Sequence, residues 1–282
     1  MIYVKRKPGP PLDASISSLW LCRNDPRPMA LERVLPLGAA QLIVNLNEDE
    51  VRVYDTAQPG RAATTLPGSV LTGVTAHLGL IDTEEQEYVA GVVFRPGGTL
   101  PFFRIPADHL TGRHVALEDV WGRALAAGLR ERLLEASGPA EKLEALERMM
   151  AAAYRETQVH PGVGFALRAL AAHPERARIA AIAEAAGLSG RRFIEHFTRA
   201  VGLRPKQYCR LLRFQRALRQ AQAGRDVNWT RVAVECGFFD QAHFIHEFRA
   251  FAGITPGEYG ACRTEFQNHV KFLQSEPAGA RR

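Results

Sequence analysis

Cys236-Gly237-Phe238-Phe239-Asp240-Gln241-Ala242-His243-Phe244 holds, in nine residues, the parts that end one helix and begin another. Gly237 stands where a tight turn needs positive φ, which glycine adopts without steric cost. Asp240 comes next at the position where a side-chain oxygen caps the free N–H groups of a new helix. Phe244 and Phe248 then form an i, i+4 pair that buries one face of that helix. The same pattern occurs earlier in the chain. Ile182-Ala183 with Ala186-Gly187-Leu188 returns as Val232-Ala233 with Cys236-Gly237-Phe238, at an offset of 50. After one inserted residue, Phe193, Phe197, Gly202, Pro205 and Tyr208 answer to Phe244, Phe248, Gly253, Pro256 and Tyr259 at an offset of 51. Ten positions in register describe a repeated helix-turn-helix.

Working outward, the first helices of the two copies are expected at Ile179 to Ala186 and at Thr230 to Cys236. Ser189 takes the capping place of Asp240, Gly202 and Gly253 stop the second helices, and Pro205 and Pro256 each open a further helix. Thr255 and Glu258 have capping-box spacing. Between the copies, Pro205 to about Ala223 reads as one helix with Tyr208, Leu211, Leu212, Leu218 and Ala221 inward and its arginines outward. Nineteen residues span roughly 28 Å, close to the ~34 Å between successive major-groove faces on one side of B-DNA.

Charge agrees with this placement. The 282 residues carry a net charge of +6, with 46% hydrophobic and 23% charged residues, the profile of an ordinary globular chain. Residues 1 to 160 hold 17 basic and 20 acidic side chains, 161 to 263 hold 16 and 8, and 264 to 282 hold 3 and 2. The repeat is therefore basic, as a polyanion-binding segment is. Cys22, Cys209, Cys236 and Cys262 form no Cys-x-x-Cys pair and read as free thiols. Lys5-Arg6-Lys7 is followed by prolines, not by an apolar run, so no secretory signal is expected. The longest uncharged stretch, Ala62 to Ile81, is too polar to span a bilayer. No membrane partner and a cytoplasmic location are the expectations.

Gly187-Leu188-Ser189 through Pro205, the helix with Arg213 and Ala217, and above all Cys236 to Phe244 with Thr255-Pro256-Gly257-Glu258-Tyr259 resemble the DNA-binding domain of AraC-type transcriptional regulators. The resemblance covers about 100 residues, 161–263. It implies two second helices inserted in successive major grooves of double-stranded DNA, regulation of transcription, and control by an N-terminal ligand or dimerisation domain. RNA polymerase, a small-molecule effector and a second copy of the chain are the further partners to be considered.

On a helical wheel with Phe193 and Phe197 inward, Arg191, Ile194, Glu195 and Thr198 face outward in the first copy, and Gln241, Ala242, Ile245, His246 and Arg249 in the second. Arg191 suits guanine O6 and N7, Gln241 suits adenine N6 and N7, and Ala242 and Ile245 suit a thymine methyl, with Ile194 and His246 also placed at base edges. Glu195 either accepts from cytosine N4 or pairs with Arg191 or Arg199. Ser189, Arg192, Arg199, Arg213, Arg216 and Arg249 are assigned to phosphates, which set register without reading sequence.

Upstream, Ser17 to Arg23, Glu32 to Leu35, Gln41 to Leu46, Val51 to Tyr54, Ser69 to Ala76 and Tyr88 to Phe94 read as strands, punctuated at Pro26, Pro28, Pro36, Gly38, Pro59, Gly60, Pro67, Gly68 and Pro96 to Gly98. Glu32 to Pro36, Ile43 to Leu46 and Val93 to Gly98 resemble uncharacterised N-terminal domains of some AraC-type regulators, others of which carry a cupin-like barrel. The expected fold is thus multi-domain α and β. A β-rich cupin-like barrel or sandwich, acting as sensor (1–116), precedes a helical coupling or dimerisation segment (117–160). An all-α domain with two helix-turn-helix motifs joined by a long helix (161–263) comes next, and a tail (264–282) ends the chain. In the coupling segment Leu125, Leu129, Leu133 and Leu134 lie along one stripe, and Leu143, Leu146, Met150 and Ala153 along another. The tail from Gln274 to Arg282 is polar and expected to fray.

His77 stands alone where a cupin would need a His-x-His pair, and His243 with His246 has no second pair, so no metal and no cofactor are expected. No phosphate loop, nucleophile elbow or Cys/His pairing occurs in a recognisable context, so the chain is not read as an enzyme. The alternative is a bifunctional protein whose barrel is catalytic and is tethered to DNA. If there is an effector pocket, Trp20, Gln41, Asn45, His77 and Arg95 are its candidate lining.

Overall fold

The computed structural model describes residues 1–25, 30–57, 62–223 and 227–272. Pro26, Pro28, Pro59, Gly60 and the stretch Gln274 to Arg282 lie outside the described residues. The amino-terminal half begins with strands β1 (Ile2–Arg6), β2 (Ile16–Arg23), β3 (Leu31–Val34), β4 (Gln41–Asn45), β5 (Glu50–Tyr54), β6 (Ala62–Pro67), β7 (Ser69–Thr72), β8 (Gly79–Asp82) and β9 (Tyr88–Phe94). Short helices α1 (Leu100–Phe103) and α2 (Ala107–Leu110), strand β10 (His114–Ala116), helix α3 (Leu117–Trp121) and two longer helices, α4 (Arg123–Glu135) and α5 (Pro139–Ala153), complete it. All six expected strands are present, β7 ending at Thr72 and not at Ala76.

Strands β1-β2-β9-β4-β7-β10 form one antiparallel sheet. Alternation sorts its side chains. Leu19, Leu21, Leu42, Val44, Ala90 and Val92 are buried in a core shared with Leu129, Leu133, Leu143, Leu146 and Met150 of α4 and α5. The segment read as a coupling element is therefore a helical hairpin packed on the sheet. Of its first stripe only Leu129 and Leu133 point inward, while Leu125 and Leu134 are exposed. Trp20 and Gln41 are half-buried, each one residue out of phase with the core positions of its strand. A Cβ on Gly91, the residue opposite Trp20 in β9, would lie 2.6 Å from the indole, so glycine makes room for the ring.

The hairpin β5–β6 is tied down by charge. The Arg52 guanidinium makes ion pairs with Glu48, Glu50, Asp82 and Glu85, and Tyr54 Oη donates to Asp82 at 2.9 Å. Burial pushes the Glu85 carboxyl up to about 7, against the pull of Arg52.

The carboxy-terminal half is helical: α6 (Pro161–Ala172), α7 (Ile179–Ala185), α8 (Gly190–Val201), α9 (Pro205–Gln222), α10 (Trp229–Glu235), α11 (Gln241–Ala252) and α12 (Pro256–Cys262). Its core runs on into the amino-terminal half through Leu35, Val74 and Ala76. Gln215 of α9 donates to Pro36 O at 2.5 Å, and Thr111 Oγ1 donates to Gly202 O at 2.6 Å. The segment after α12, read as part of a tail, instead turns back and forms β11 (His269–Lys271), which pairs antiparallel with β3 and makes a three-stranded sheet β11-β3-β8. Leu35 N–H donates to Asn268 O at 2.7 Å and Asn268 Nδ2 to Leu35 O at 3.0 Å. Among the described residues no helix is long and apolar enough to cross a membrane.

Candidate nucleic-acid interface

The two helix-turn-helix motifs share their turn geometry and the caps of their second helices. Gly187 and Gly237 adopt φ of +69° and +74° in the turns, and Gly202 and Gly253 adopt +87° and +69° at the ends of α8 and α11. Leu188 N–H donates to Ala183 O and Phe238 N–H to Ala233 O, both at 3.0 Å. Ser189 caps α8 by accepting from Arg192 N–H, and Asp240 caps α11 by accepting from His243 N–H at 2.7 Å. Thr255 and Glu258 complete the capping box of α12. Phe193, Phe197, Phe244 and Phe248 are buried, and the rings of each pair stand 5.7 Å apart.

With those rings inward, the opposite faces of α8 and α11 are left to solvent. Arg191, Arg192, Ile194, Glu195 and Arg199 are exposed on α8, and Gln241, Ala242, His246 and Arg249 on α11. Thr198 and Ile245 are half-buried, and Ile245 rests on the core. Among the described residues Arg191, Arg192, Arg199, Arg249 and Glu195 enter no ion pair. Among the described residues Glu195 thus forms no ion pair with either Arg191 or Arg199. His243 lies on the flank, where Nδ1 accepts from Phe239 N–H at 3.3 Å.

Arg213 and Arg216 are placed differently from the phosphate role expected of them. Both are on α9 and half-buried. Arg213 Nη1 donates to Gly237 O at 3.1 Å, with its guanidinium 5.5 Å from the Phe238 ring centre, and Arg216 Nη1 meets Glu175 at 2.9 Å. Arg210, on the same helix, grips Glu247 of α11 in a bidentate pair at 2.7 and 2.8 Å. Burial pushes the Glu247 carboxyl up, and the Arg210 hydrogen bond and charge together outweigh it, leaving the group below the ordinary value. Arg210 and Arg213 therefore brace the second motif, while Arg216 ties α9 to the loop before α7. Sequence reasoning had no signal for the partners Glu175 and Glu247, because each lies in a different helix or loop.

The effector candidates are not brought into one cavity. Trp20 and Gln41 share a strand face of the large sheet, but Asn45 is buried, accepting from Asn47 and Glu48 N–H at 2.9 and 3.1 Å and donating to Glu50 O at 2.8 Å. His77 is exposed on the loop before β8, and Arg95, just past β9, donates from Nε to Asp13 O at 2.7 Å.

Comparison with known proteins fits this geometry. Residues 182–261 match the family described as Helix-turn-helix domain, and residues 4–116 match Domain of unknown function (DUF6597). No curated protein matches the chain. Among solved structures, a transcriptional regulator of the group of AraC-type DNA-binding domain-containing proteins from Chromobacterium violaceum is 28% identical over 36% of this chain and 90% of its own, with a TM-score of 0.34. A DNA-binding transcriptional dual regulator from Escherichia coli K-12 is 27% identical over 38% and 92%, with a TM-score of 0.31. ToxT of Vibrio cholerae strain SCE256, solved with an unsaturated fatty acid bound, is 10% identical over 90% and 96%, with a TM-score of 0.46.

Proposed function

We infer, from the AraC-type helix-turn-helix DNA-binding domain that the chain carries at residues 182–261, that this protein is a sequence-specific transcription regulator controlled through its amino-terminal half by a small-molecule effector or by dimerisation. The observation that carries the reading is the pair of capped helices, α8 and α11, whose outer faces are exposed and whose arginines enter no close ion pair among the described residues. The linker α9, 18 residues, spans about 27 Å, which suits two helices in neighbouring major grooves.

In this reading Arg191, Ile194, Glu195, Gln241, Ala242, Ile245 and His246 meet base edges, and Ser189, Arg192, Arg199 and Arg249 meet phosphates. Residues 161–263 bind DNA, residues 1–160 sense, and residues 264–272 join the two.

A selection from randomised duplexes with the full chain at low salt tests this. It should return two half-sites whose centres are about one helical turn apart. Failure to enrich any duplex would defeat the reading. A thermal-shift screen of small molecules on the same protein tests the sensor role, because a ligand bound only by the folded chain raises Tm.

A further inference from the structure

The turn of the second motif carries an aromatic side chain that the fold does not use. Gly187-Leu188-Ser189 joins α7 to α8, whereas Gly237-Phe238-Phe239-Asp240 joins α10 to α11. Leu188 and Phe238 occupy equivalent places, since each donates its N–H to the alanine five residues before it, at 3.0 Å. Ser189 and Asp240 are equivalent caps. Phe239 is therefore the additional residue. Phe238 is buried against Phe244 with ring centres 5.0 Å apart, while Phe239 is 91% exposed, the most exposed large apolar side chain among the described residues.

A single apolar residue in water is ordinary, so exposure alone decides nothing. Position does. The backbone on both sides of Phe239 is pinned, by its own N–H on His243 Nδ1 and by the Asp240 carboxylate on His243 N–H. The ring is thus presented from a fixed point at the amino-terminal tip of α11, next to exposed Gln241 and Ala242. In helix-turn-helix docking that tip is the part of the helix directed at base edges. The apolar group a duplex offers there is the thymine C5-methyl. The charge pattern points the same way. Helix α8 brings Arg191, Arg192 and Arg199 to its outer side, whereas α11 brings only Arg249. The outer side of the second motif is thus the poorer in cations, and apolar contact weighs more there.

Resting on the DNA-binding reading above, we propose that Phe239 is a specificity-determining residue of the second motif, packing its ring on a thymine methyl beside the base pair that Gln241 reads.

The test uses the full chain and its selected duplex. The wild-type protein should select thymine at one position of the second half-site. Phe239→Ala should lose that preference and bind about tenfold more weakly, Phe239→Leu should keep most of the affinity, and the salt slope should not change because no charge is removed. Replacing the selected thymine by uracil deletes only the methyl. That change should weaken the wild-type complex by about fourfold and leave the Phe239→Ala complex unaffected. Unchanged Tm in the variant will show that the fold is intact. Equal affinity and an identical selected site in Phe239→Ala overturn the proposal while leaving the DNA-binding reading in place. So does a variant that binds DNA normally but fails only when RNA polymerase is added, since the ring then meets a protein. If the wild-type chain enriches no duplex, the DNA-binding reading itself falls, and the role of Phe239 with it.

Discussion

Two arginines of the basic third show why surroundings outrank composition. Arg192 is exposed at the start of α8 and makes no ion pair among the described residues, whereas Arg213 lies under the second turn with its guanidinium on Gly237 O and against Phe238. Arg192→Ala should weaken binding to every duplex and lower the slope of log K against log salt by about one charge. Arg213→Ala should leave that slope alone and destabilise the protein. Titrations at several salt concentrations separate the two, and an unchanged slope for Arg192→Ala would remove it from the phosphate set. Gln241 makes a different demand. Gln241→Ala should relax preference at one base pair by about 1 to 3 kcal/mol, and a repeated selection showing no altered position would rule out base reading by this side chain. The outer faces of α8 and α11 were legible in the sequence because a 100° step fixes them once the phenylalanines are inward. The burial of Arg213 was not, since nothing near residue 213 announces that the carbonyl of residue 237 will sit over it.

At the scale of elements, the two turns offer a matched pair of substitutions. Both Gly187 and Gly237 have positive φ, so alanine at either position carries a backbone cost of about 1 to 2 kcal/mol. Their surroundings differ. A Cβ at 187 meets nothing within 4 Å, but at 237 it runs into Glu175, the residue that also receives Arg216. Gly237→Ala should therefore cost more than Gly187→Ala by about 1 to 3 kcal/mol, the usual penalty of overpacking. Urea unfolding of the two variants measures the difference, and equal losses would mean that the loop at Glu175 does not bear on the second turn. Glycine turns, caps and the capping box were all readable, because each is a local bargain between neighbours in sequence. The wedge of Glu175 between the motifs is a tertiary contact, and so are the braces from α9. Short strands suffered in the same way. β6, β8 and β10 hold six, four and three residues, with polar side chains among them, and their partners rather than their own pattern make them strands.

The whole molecule joins its halves by more than the chain between α5 and α6. Val74 and Thr111 crowd Gly202 at the end of α8, Leu78 lies 2.8 Å from where a Cβ of Gly253 would stand at the end of α11, and Gln215 of α9 reaches Pro36. The amino-terminal half thus touches the carboxy-terminal ends of both recognition helices and leaves their outer faces exposed. Docking of the two halves therefore does not cover those outer faces. Strand β11 is the clasp of this docking, and its sequence, His269-Val270-Lys271, gave no warning that it would pair with a strand more than 200 residues earlier. Val270 is fully buried, between the two halves. Val270→Asp would place a carboxylate there without a designed partner, at a cost of about 3 kcal/mol or more, which for a chain of this size lowers Tm by several degrees. The decisive readout is local. The amides of Leu35 and Phe272 donate to Asn268 O and Leu31 O across the clasp, so both should exchange with solvent much faster in the variant, while the amides inside α8 and α11 stay protected. If Leu35 and Phe272 remain as protected as in the wild-type chain, β11 is not what holds the halves together; if the helices of the repeat lose protection at the same time, docking and the fold of the DNA-binding half are one cooperative unit.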